Sequence, residues 1–211
     1  RTYGSCIWPP VQGEICGVLL MSNLQLKLVD GCFIRNFVDT DFSGEGSDVM
    51  YPYIPSGKMW LDEVLRDETD FFVELHAFER ELLSIGIQYA DARKKVCENL
   101  VRKSKPNPVI ESYKWHPKGR DLQVLIVDGQ MVREYFDPKF IQGGHDLVYS
   151  YIPAGTIWME KAFAKEYEFT LLHEAYERRR MLEGMKYFDA HNLALIVERN
   201  ERIMQLRERF G

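Results

Sequence analysis

Two stretches of this chain have similar sequences at a constant spacing. When residues 28–100 are placed on residues 126–198, an offset of 98 positions without a gap, 23 of the 73 positions are identical. The clearest shared run pairs Tyr51–Trp60 with Tyr149–Trp158. A repeat that keeps one register over this length predicts an internal duplication. Positions common to both copies then build the fold, and polar groups present in one copy only are free to serve a site.

The repeat divides the chain into two modules with flanking segments. Pro and Gly residues interrupt the pattern in residues 1–23 and 101–121. We interpret the first segment as an N-terminal extension with a loop and one strand, and the second as a connector. The modules then span residues 24–100 and 122–211. Because units this small bury only a modest fraction of their surface, we expect the two modules to pack together as a pseudo-twofold pair.

Each module is expected to begin with strands. In the second module, Leu122–Val127 is rich in β-branched residues and ends at Asp128-Gly129, a pair typical of a hairpin turn. Met131–Phe136 is therefore interpreted as the next strand. Two shorter strands are expected at Val148–Ile152 and Thr156–Trp158. The first module repeats this pattern, so we expect antiparallel strands in both.

Two helices are expected to follow the strands. After the last strand the apolar residues recur at a spacing near 3.6, which predicts one helix from the region of Glu166 to Glu183, ended by Gly184. A second helix is expected from about Phe188 to Arg209. The predicted fold class is α+β, a tandem duplication in which each copy has antiparallel strands followed by two helices.

Charge and composition argue against several classes of protein. A net charge of −5 and a pI near 5.6 disfavour a nucleic-acid binder, whose footprint would be a basic face. No stretch approaches the roughly 20 apolar residues of a membrane span. The four cysteines show no Cys-x-x-Cys spacing, which argues against a zinc knuckle and favours a reducing, cytoplasmic location. We expect a peptide or protein as substrate or partner.

The histidines are concentrated in the second module. Four of its titratable residues stand where the first module has a different residue. These are His145, His173, Glu174 and His191, which match Ser47, Leu75, His76 and Arg93. Either the second module has gained or retained a site, or the histidines are chance surface residues of a diverged copy; we favour the first interpretation.

The pattern around His173 predicts a metal site. His173 and Glu177 are four residues apart in the expected first helix, where their side chains would share a face about 6 Å apart. His191 falls in the first turn of the next helix, and an antiparallel helix pair would bring it opposite His173. Two imidazoles and a carboxylate, with a fourth position left for water, form a known ligand set for catalytic zinc. Glu174 would then accept a proton as general base.

Residues 152–198 carry a pattern that resembles the core of zincin-type metallopeptidases. The Ile-Pro-x-Gly-x-x-Trp strand, the helix motif Leu-Leu-His-Glu-x-x-Glu-Arg and the later Ala-His are similar to metallopeptidase-like domains of phage and mobile-element proteins. The resemblance implies zinc at His173 and His191, with Glu174 as the general base. It departs from the zincin pattern at Glu177, where that pattern has a second helical histidine.

Glu177 has a second interpretation, because its counterpart Glu79 occurs in the first module without the histidines. An arginine follows both residues, which favours a structural ion pair or a hydrogen bond to the sheet. The ligand set would then be two histidines, completed by His145 or Asp146. Considered alone, His145 is expected to be exposed in a loop and His76 to be a surface residue.

The sequence leaves more than one function open. The first is a metal-dependent hydrolase, most simply peptidase-like, in which the second module is active and the first is a degenerate partner. The second is a non-catalytic structural or interaction module built from a duplicated α+β scaffold. Phosphodiester hydrolysis by a related metal arrangement is a third.

Overall fold

The computed structural model describes residues 24–102, 104–115 and 122–210. The fold is mixed α+β, with 53% helix, 18% strand, two sheets and six helices in the described residues. The expected N-terminal loop and strand lie outside these residues. No helix of the described ranges is long and apolar enough to cross a lipid bilayer.

The two halves of the chain contain the same elements in the same order. The first half consists of β1 (Gln25–Val29), α1 (Gly31–Phe37), β2 (Glu45–Ser47), β3 (Lys58–Asp62), a 3₁₀ turn (Glu63–Glu68), α2 (Thr69–Ser84) and α3 (Tyr89–Leu100). The second half consists of β4 (Val109–Trp115), β5 (Leu122–Val127), α4 (Gly129–Tyr135), β6 (Gly143–His145), β7 (Thr156–Glu160), a 3₁₀ turn (Lys161–Glu166), α5 (Tyr167–Leu182) and α6 (Tyr187–Phe210). The additional strand β4 comes from the segment that was interpreted as a connector.

The strands form two sheets of related topology. The first sheet has the order β1-β3-β2 and the second the order β4-β5-β7-β6. β1 pairs with β3 in parallel, as β5 does with β7, whereas β2, β6 and β4 pair antiparallel with their neighbours. The expectation of antiparallel strands throughout was therefore wrong for the β1–β3 and β5–β7 pairs. A helix lies between the two parallel strands in the chain and provides the crossover that parallel pairing requires.

The segments after the two Asp-Gly pairs are helices rather than strands. Asp128 is the N-cap of α4, and its carboxylate accepts a hydrogen bond from the backbone N–H of Met131 at 3.2 Å. Asp30 caps α1 in the same way through Phe33, at 2.9 Å. The hairpin interpretation was wrong because aspartate followed by glycine suits a helix N-terminus as well as a hairpin turn. Gly129 is required here, since a Cβ atom would overlap the carboxylate of Glu160.

The region expected as a strand at Val148–Ile152 consists of turns. The backbone N–H of Val148 donates to the carbonyl of His145 at 3.1 Å, and that of Ile152 donates to Tyr149 at 3.0 Å. The alternating aromatic residues that suggested a strand pack instead around Trp158, whose ring centroid lies 5.7 Å from that of Tyr151. Apolar residues in this region therefore fill the core without joining the sheet.

Both helices expected in the second half are present. α5 ends at Leu182, and Gly184 follows with a φ of 95°, a left-handed conformation that glycine adopts without strain. α6 then runs back along α5 and packs against it. The two helices together carry the titratable residues singled out in the sequence.

The halves are joined by a shared apolar core and by two buried ion pairs. Ile141 and Phe163 from the second half pack in one cluster with Met59, Leu61, Leu65 and Phe72 from the first. Arg35 reaches across to Glu166, with Nε 3.0 Å from Oε1, and Arg133 reaches back to Glu68, with Nε 2.8 Å from Oε2. The two arginines stand at matching positions of the repeat, so these contacts are reciprocal.

Candidate metal centre

Four titratable residues of the second half line one pocket. His173, Glu174 and Glu177 come from α5, and His191 comes from near the start of α6. His145, from the edge strand β6, is buried beside the pocket and contacts Glu177. Thr40, Asp41 and Ser43 of the first half also line this pocket, together with Tyr149, Tyr187 and Leu195 of the second. The structure therefore brings together His173, Glu177, His191 and Glu174, whereas Asp146, which the sequence offered as a further ligand, does not line this pocket.

Three possible ligand atoms converge within this pocket. His173 Nε2 lies 3.2 Å from His191 Nδ1, and Glu177 Oε2 lies 2.7 Å from His191 Nδ1 and 3.5 Å from His173 Nε2. With zinc–ligand bonds of about 2.0–2.1 Å, the corners of a tetrahedral site are about 3.3 Å apart. The observed separations fall around that value, so one ion of this size fits between the three atoms.

Each histidine directs its other ring nitrogen at an acid. His173 Nδ1 lies 2.9 Å from Glu198 Oε2, and His191 Nε2 lies 3.2 Å from Asp41 Oδ1. When the imidazole is neutral and this nitrogen donates to the acid, the other nitrogen faces the centre with a free lone pair; when the imidazole is protonated, both nitrogens donate. This outer contact is the usual arrangement around histidines that bind metal.

His145 is buried on β6, so the expectation of an exposed loop residue was wrong. Its Nδ1 accepts the backbone N–H of Leu147 at 3.2 Å, which leaves the proton on Nε2. Nε2 then donates to Glu177 Oε1 at 2.9 Å. His145, Glu174 and Glu177 also lie close enough to hold an ion. We assign that group no ion, because the lone pair of His145 already faces Leu147 and not the cluster.

Asp146 lies in the turn that precedes β7 and has structural partners. Its Oδ2 accepts the backbone N–H of Gly155 at 2.8 Å, and its Oδ1 accepts Nε of Arg178 at 2.6 Å. Asp48, Gly57 and Arg80 make the same contacts in the first half. The arginine that follows the shared glutamate therefore pairs with the turn, while Glu177 itself turns towards the histidines.

The electrostatic environment favours positive charge between these side chains. Burial would raise the pKa of Glu177, but hydrogen bonds from His145, His173 and His191 outweigh it and hold that pKa well below its usual range. Burial would lower the pKa of His173, yet Glu177 and Glu198 raise it to about 10. For His191 burial is likewise outweighed, by Asp41 and Glu177, and its pKa is raised to about 9. The carboxylates thus stabilise either protons or a metal ion at this point.

Glu174 differs from its neighbours in having no fixed partner. It lines the pocket beside Gly143, and its carboxylate accepts no hydrogen bond from any described residue. Burial is the first cause of the raised pKa of its carboxyl group. A carboxylate that is free of partners and reluctant to ionise is suited to exchange a proton with a bound molecule.

The matching place in the first half holds a closed ion cluster. Arg93 Nη2 lies 2.6 Å from Glu45 Oε1, and Arg93 Nη1 lies 3.5 Å from Glu79 Oε1. His76 lies between the same two carboxylates and is buried, so the expectation of a surface histidine was wrong. In the first half the guanidinium of Arg93 thus lies next to Glu79. In the second half three imidazoles surround the matching Glu177. Among the described residues, no arginine or lysine contacts Glu177.

Sequence reasoning missed the two outer acids, Glu198 and Asp41. Glu198 matches Leu100 in the repeat, so it is one more polar residue found in one copy only, and the internal comparison contained that signal. Asp41 lies in the first half, 150 residues before His191. No local pattern connects residues so far apart in the chain.

Comparison with known proteins assigns this chain to no family. No family model matches the chain, and neither the curated proteins nor the solved structures include one with significant similarity to it. The interpretation of the site therefore depends on its own geometry.

Proposed function

We propose that this protein is a metal-dependent hydrolase, most simply peptidase-like, whose centre lies in the second half. His173, His191 and Glu177 would hold a zinc ion. The observation that carries the proposal is the convergence of their three ligand atoms at separations of 2.7, 3.2 and 3.5 Å, with each histidine anchored by an acid on its far side. Nitrogen and carboxylate donors in this number are those of catalytic zinc sites with one open position.

The residues around this centre suit hydrolysis. When bound, zinc supplies Lewis acidity that polarises a carbonyl or phosphoryl oxygen. Glu174 would accept a proton from the attacking water on its carboxylate oxygen and pass it to the leaving group. His145 binds Glu177 Oε1, and Glu177 Oε2 faces His173 and His191. The resemblance of residues 152–198 to zincin-type domains supports a peptide as the substrate.

The two halves would be copies from a tandem duplication, related by a pseudo-twofold axis. Support comes from the common order of elements, the common order of three strands in each sheet and the reciprocal contacts of Arg35 and Arg133. On this view the first half retains the fold, and Arg93 fills the place of the ion.

The alternative is a non-catalytic module, and the first half is the observation in its favour. There the same elements are held together by Glu45, His76 and Arg93 without a ligand. If the cluster of the second half is an ion network of the same kind, protons on His173 and His191 would balance its carboxylates. Metal analysis separates the two proposals.

The decisive experiment measures zinc in the purified protein and its His173→Ala variant. We expect about one zinc per chain in the wild type, loss of that zinc in the variant, and full retention in Asn192→Ala, a control that changes an exposed neighbour of His191. Absence of zinc from the wild type after incubation with the ion would contradict the proposal.

A second variant tests the chemistry separately from the metal. Glu174→Gln should keep its zinc, because Glu174 is not among the three ligands, and should lose about 100-fold to 10,000-fold in peptide hydrolysis. Equal activity of this variant and the wild type would remove Glu174 from the mechanism.

A further inference from the structure

We infer that the first half of the chain is an orienting partner for the metal centre of the second half, because both histidine ligands are held from it. Asp41 holds His191 directly, and a buried chain of ion pairs that ends at Arg35 holds Glu198 against His173. The inference rests on the proposed function. Asp41, Glu198, Arg202 and Arg35 are then positioning residues, which act through the two histidines.

The direct contact comes from the loop between α1 and β2. Asp41 Oδ1 lies 3.2 Å from His191 Nε2. The loop is fixed in place, since the hydroxyl of Tyr51 donates to the carbonyl of Asp41 at 3.2 Å. The side-chain amide of Gln142 donates to the carbonyls of Phe42 and Ser43, at 3.2 and 2.9 Å. Both halves therefore hold the carboxylate that faces His191.

The indirect contact is a continuous row of buried charges. Glu198 Oε1 accepts Nε of Arg202 at 2.9 Å, and Arg202 Nη1 donates to Glu166 Oε1 at 2.8 Å. The same oxygen of Glu166 accepts Nε of Arg35 at 3.0 Å. Arg202 also donates to Asn36 of the first half at 3.1 Å. Glu198 thus cannot turn away from His173 without disturbing pairs that cross between the halves.

The repeat shows that the fold does not require these residues. Asp41 and Glu198 are matched by Lys139 and Leu100 at the offset of 98, and α3 ends at Leu100, before the position that would correspond to Arg202. Within the described ranges, the reciprocal contact of Arg133 with Glu68 has no extension of this kind towards the first-half cluster. In that part of the chain, the outer carboxylates therefore occur at the cluster where two histidines converge and not at the other.

The physical effect of the outer carboxylates is on affinity and ligand orientation. Each one keeps its histidine in the tautomer whose free nitrogen faces the ion and restricts rotation of the ring before the ion arrives. Loss of such a contact lowers metal affinity by about 10-fold to 100-fold in proteins of known behaviour.

The test measures zinc affinity by chelator competition and the visible absorption spectrum of the protein loaded with Co²⁺. Asp41→Ala should weaken zinc binding about 10-fold to 100-fold and change the Co²⁺ spectrum. Asp41→Asn should recover part of the loss, because its amide oxygen can accept the same proton. Asp189→Ala is the matched control, since it removes an equal charge two residues from His191 without contacting it. It should leave the spectrum unchanged.

Glu198→Leu, which introduces the residue of the first half, should act like Asp41→Ala. If it does not fold, Asp41→Ala decides alone, because the side chain of Asp41 is 58% exposed and its loss leaves the core intact. Wild-type affinity and spectrum in Asp41→Ala would overturn the inference while the proposed function stands. Failure of the wild-type protein to bind zinc or Co²⁺ would overturn both.

Discussion

A buried glutamate stands at the same position in both halves and needs a positive partner in each. Glu79 has Arg93 and His76, whereas Glu177 has three histidines. Removing such partners from a buried carboxylate costs several kcal/mol, because its charge would remain without compensation. The two halves therefore compensate the charge of this glutamate with different side chains.

The cluster of the first half predicts a pH-dependent stability. Burial would lower the pKa of His76, but Glu45 and Glu79 raise it to about 9, above the ordinary value of 6.5. The contribution of His76 is then fully present below pH 6.5 and is lost as the pH rises through 9. Burial likewise opposes ionisation of Glu45, but Arg93 and His76 hold its pKa below 4.5. Its contribution is therefore present above pH 4.5 and is lost in acid.

The measurement compares the free energy of unfolding in urea for wild type and His76→Gln from pH 5.5 to 9.5. Wild type should lose on the order of 2–3 kcal/mol relative to the variant between pH 6.5 and 9.5. The histidines of the second half titrate in both proteins, so the difference isolates His76. A difference that stays constant with pH would show that His76 is neutral in the folded protein.

The sequence predicted the members of the site better than their contacts. His173, Glu177 and His191 follow from helix periodicity and a short turn, which are local properties of the chain. Burial of His145 and His76 could not be read from sequence, because each pairs with a carboxylate that lies 31 or 32 residues away in the chain, Glu177 or Glu45. The spacing alone treats such a histidine as a lone polar group and favours the surface.

At the scale of single elements, α1 and α4 are segments whose sequence suits either a hairpin or a helix, and their tertiary contacts favour the helix. The Asp-Gly pair and the alternation after it favour a hairpin, but the aspartate caps a helix in both copies. Gly31 and Gly129 lie against the carboxylates of Asp62 and Glu160, which bind the buried arginines of the same helices. Tertiary contacts thus favour the helix at these positions, and local sequence propensities do not take such contacts into account.

Gly129→Ala tests this explanation. Its Cβ would displace the Glu160 carboxylate that lies 2.9 Å from Arg133 Nη1, so we expect a loss of about 1–3 kcal/mol in the free energy of unfolding. Gln130→Ala, at the next and exposed position of α4, should change it by less than about 0.5 kcal/mol. Equal values for the two variants in urea denaturation would contradict the proposed role of the close approach.

At the scale of the whole molecule, the halves share one core and should unfold together. Phe163 of the second half packs with Leu61, Leu65 and Phe72 of the first, and its ring also lies beside the Arg35 guanidinium. Phe163→Ala should lower the free energy of unfolding by about 3–5 kcal/mol. Hydrogen exchange should then accelerate in β3 as well as in β7. Faster exchange confined to the second half would show that the halves unfold independently.

The repeat predicted a common order of elements in the two halves, and periodicity predicted α5 and α6, because sequence patterns along the chain carry those signals. Pairing of β1 with β3 and of β5 with β7 in parallel was not predictable in this way. It depends on the crossover through α1 and α4, and both helices are too short to show a distinct period. The edge strand β4 was not predicted either, because it lies in a segment whose prolines are typical of a connector.

Arg93 has a further consequence for any experiment on this protein. The first half has its counter-charge attached to the polypeptide, so chelators, zinc supply and dilution leave that cluster unchanged. The second half would draw its counter-charge from solution and respond to all three. Every molecule would then contain an internal control cluster that does not respond to metal. A change seen in both halves could be distinguished from a change caused by the ion.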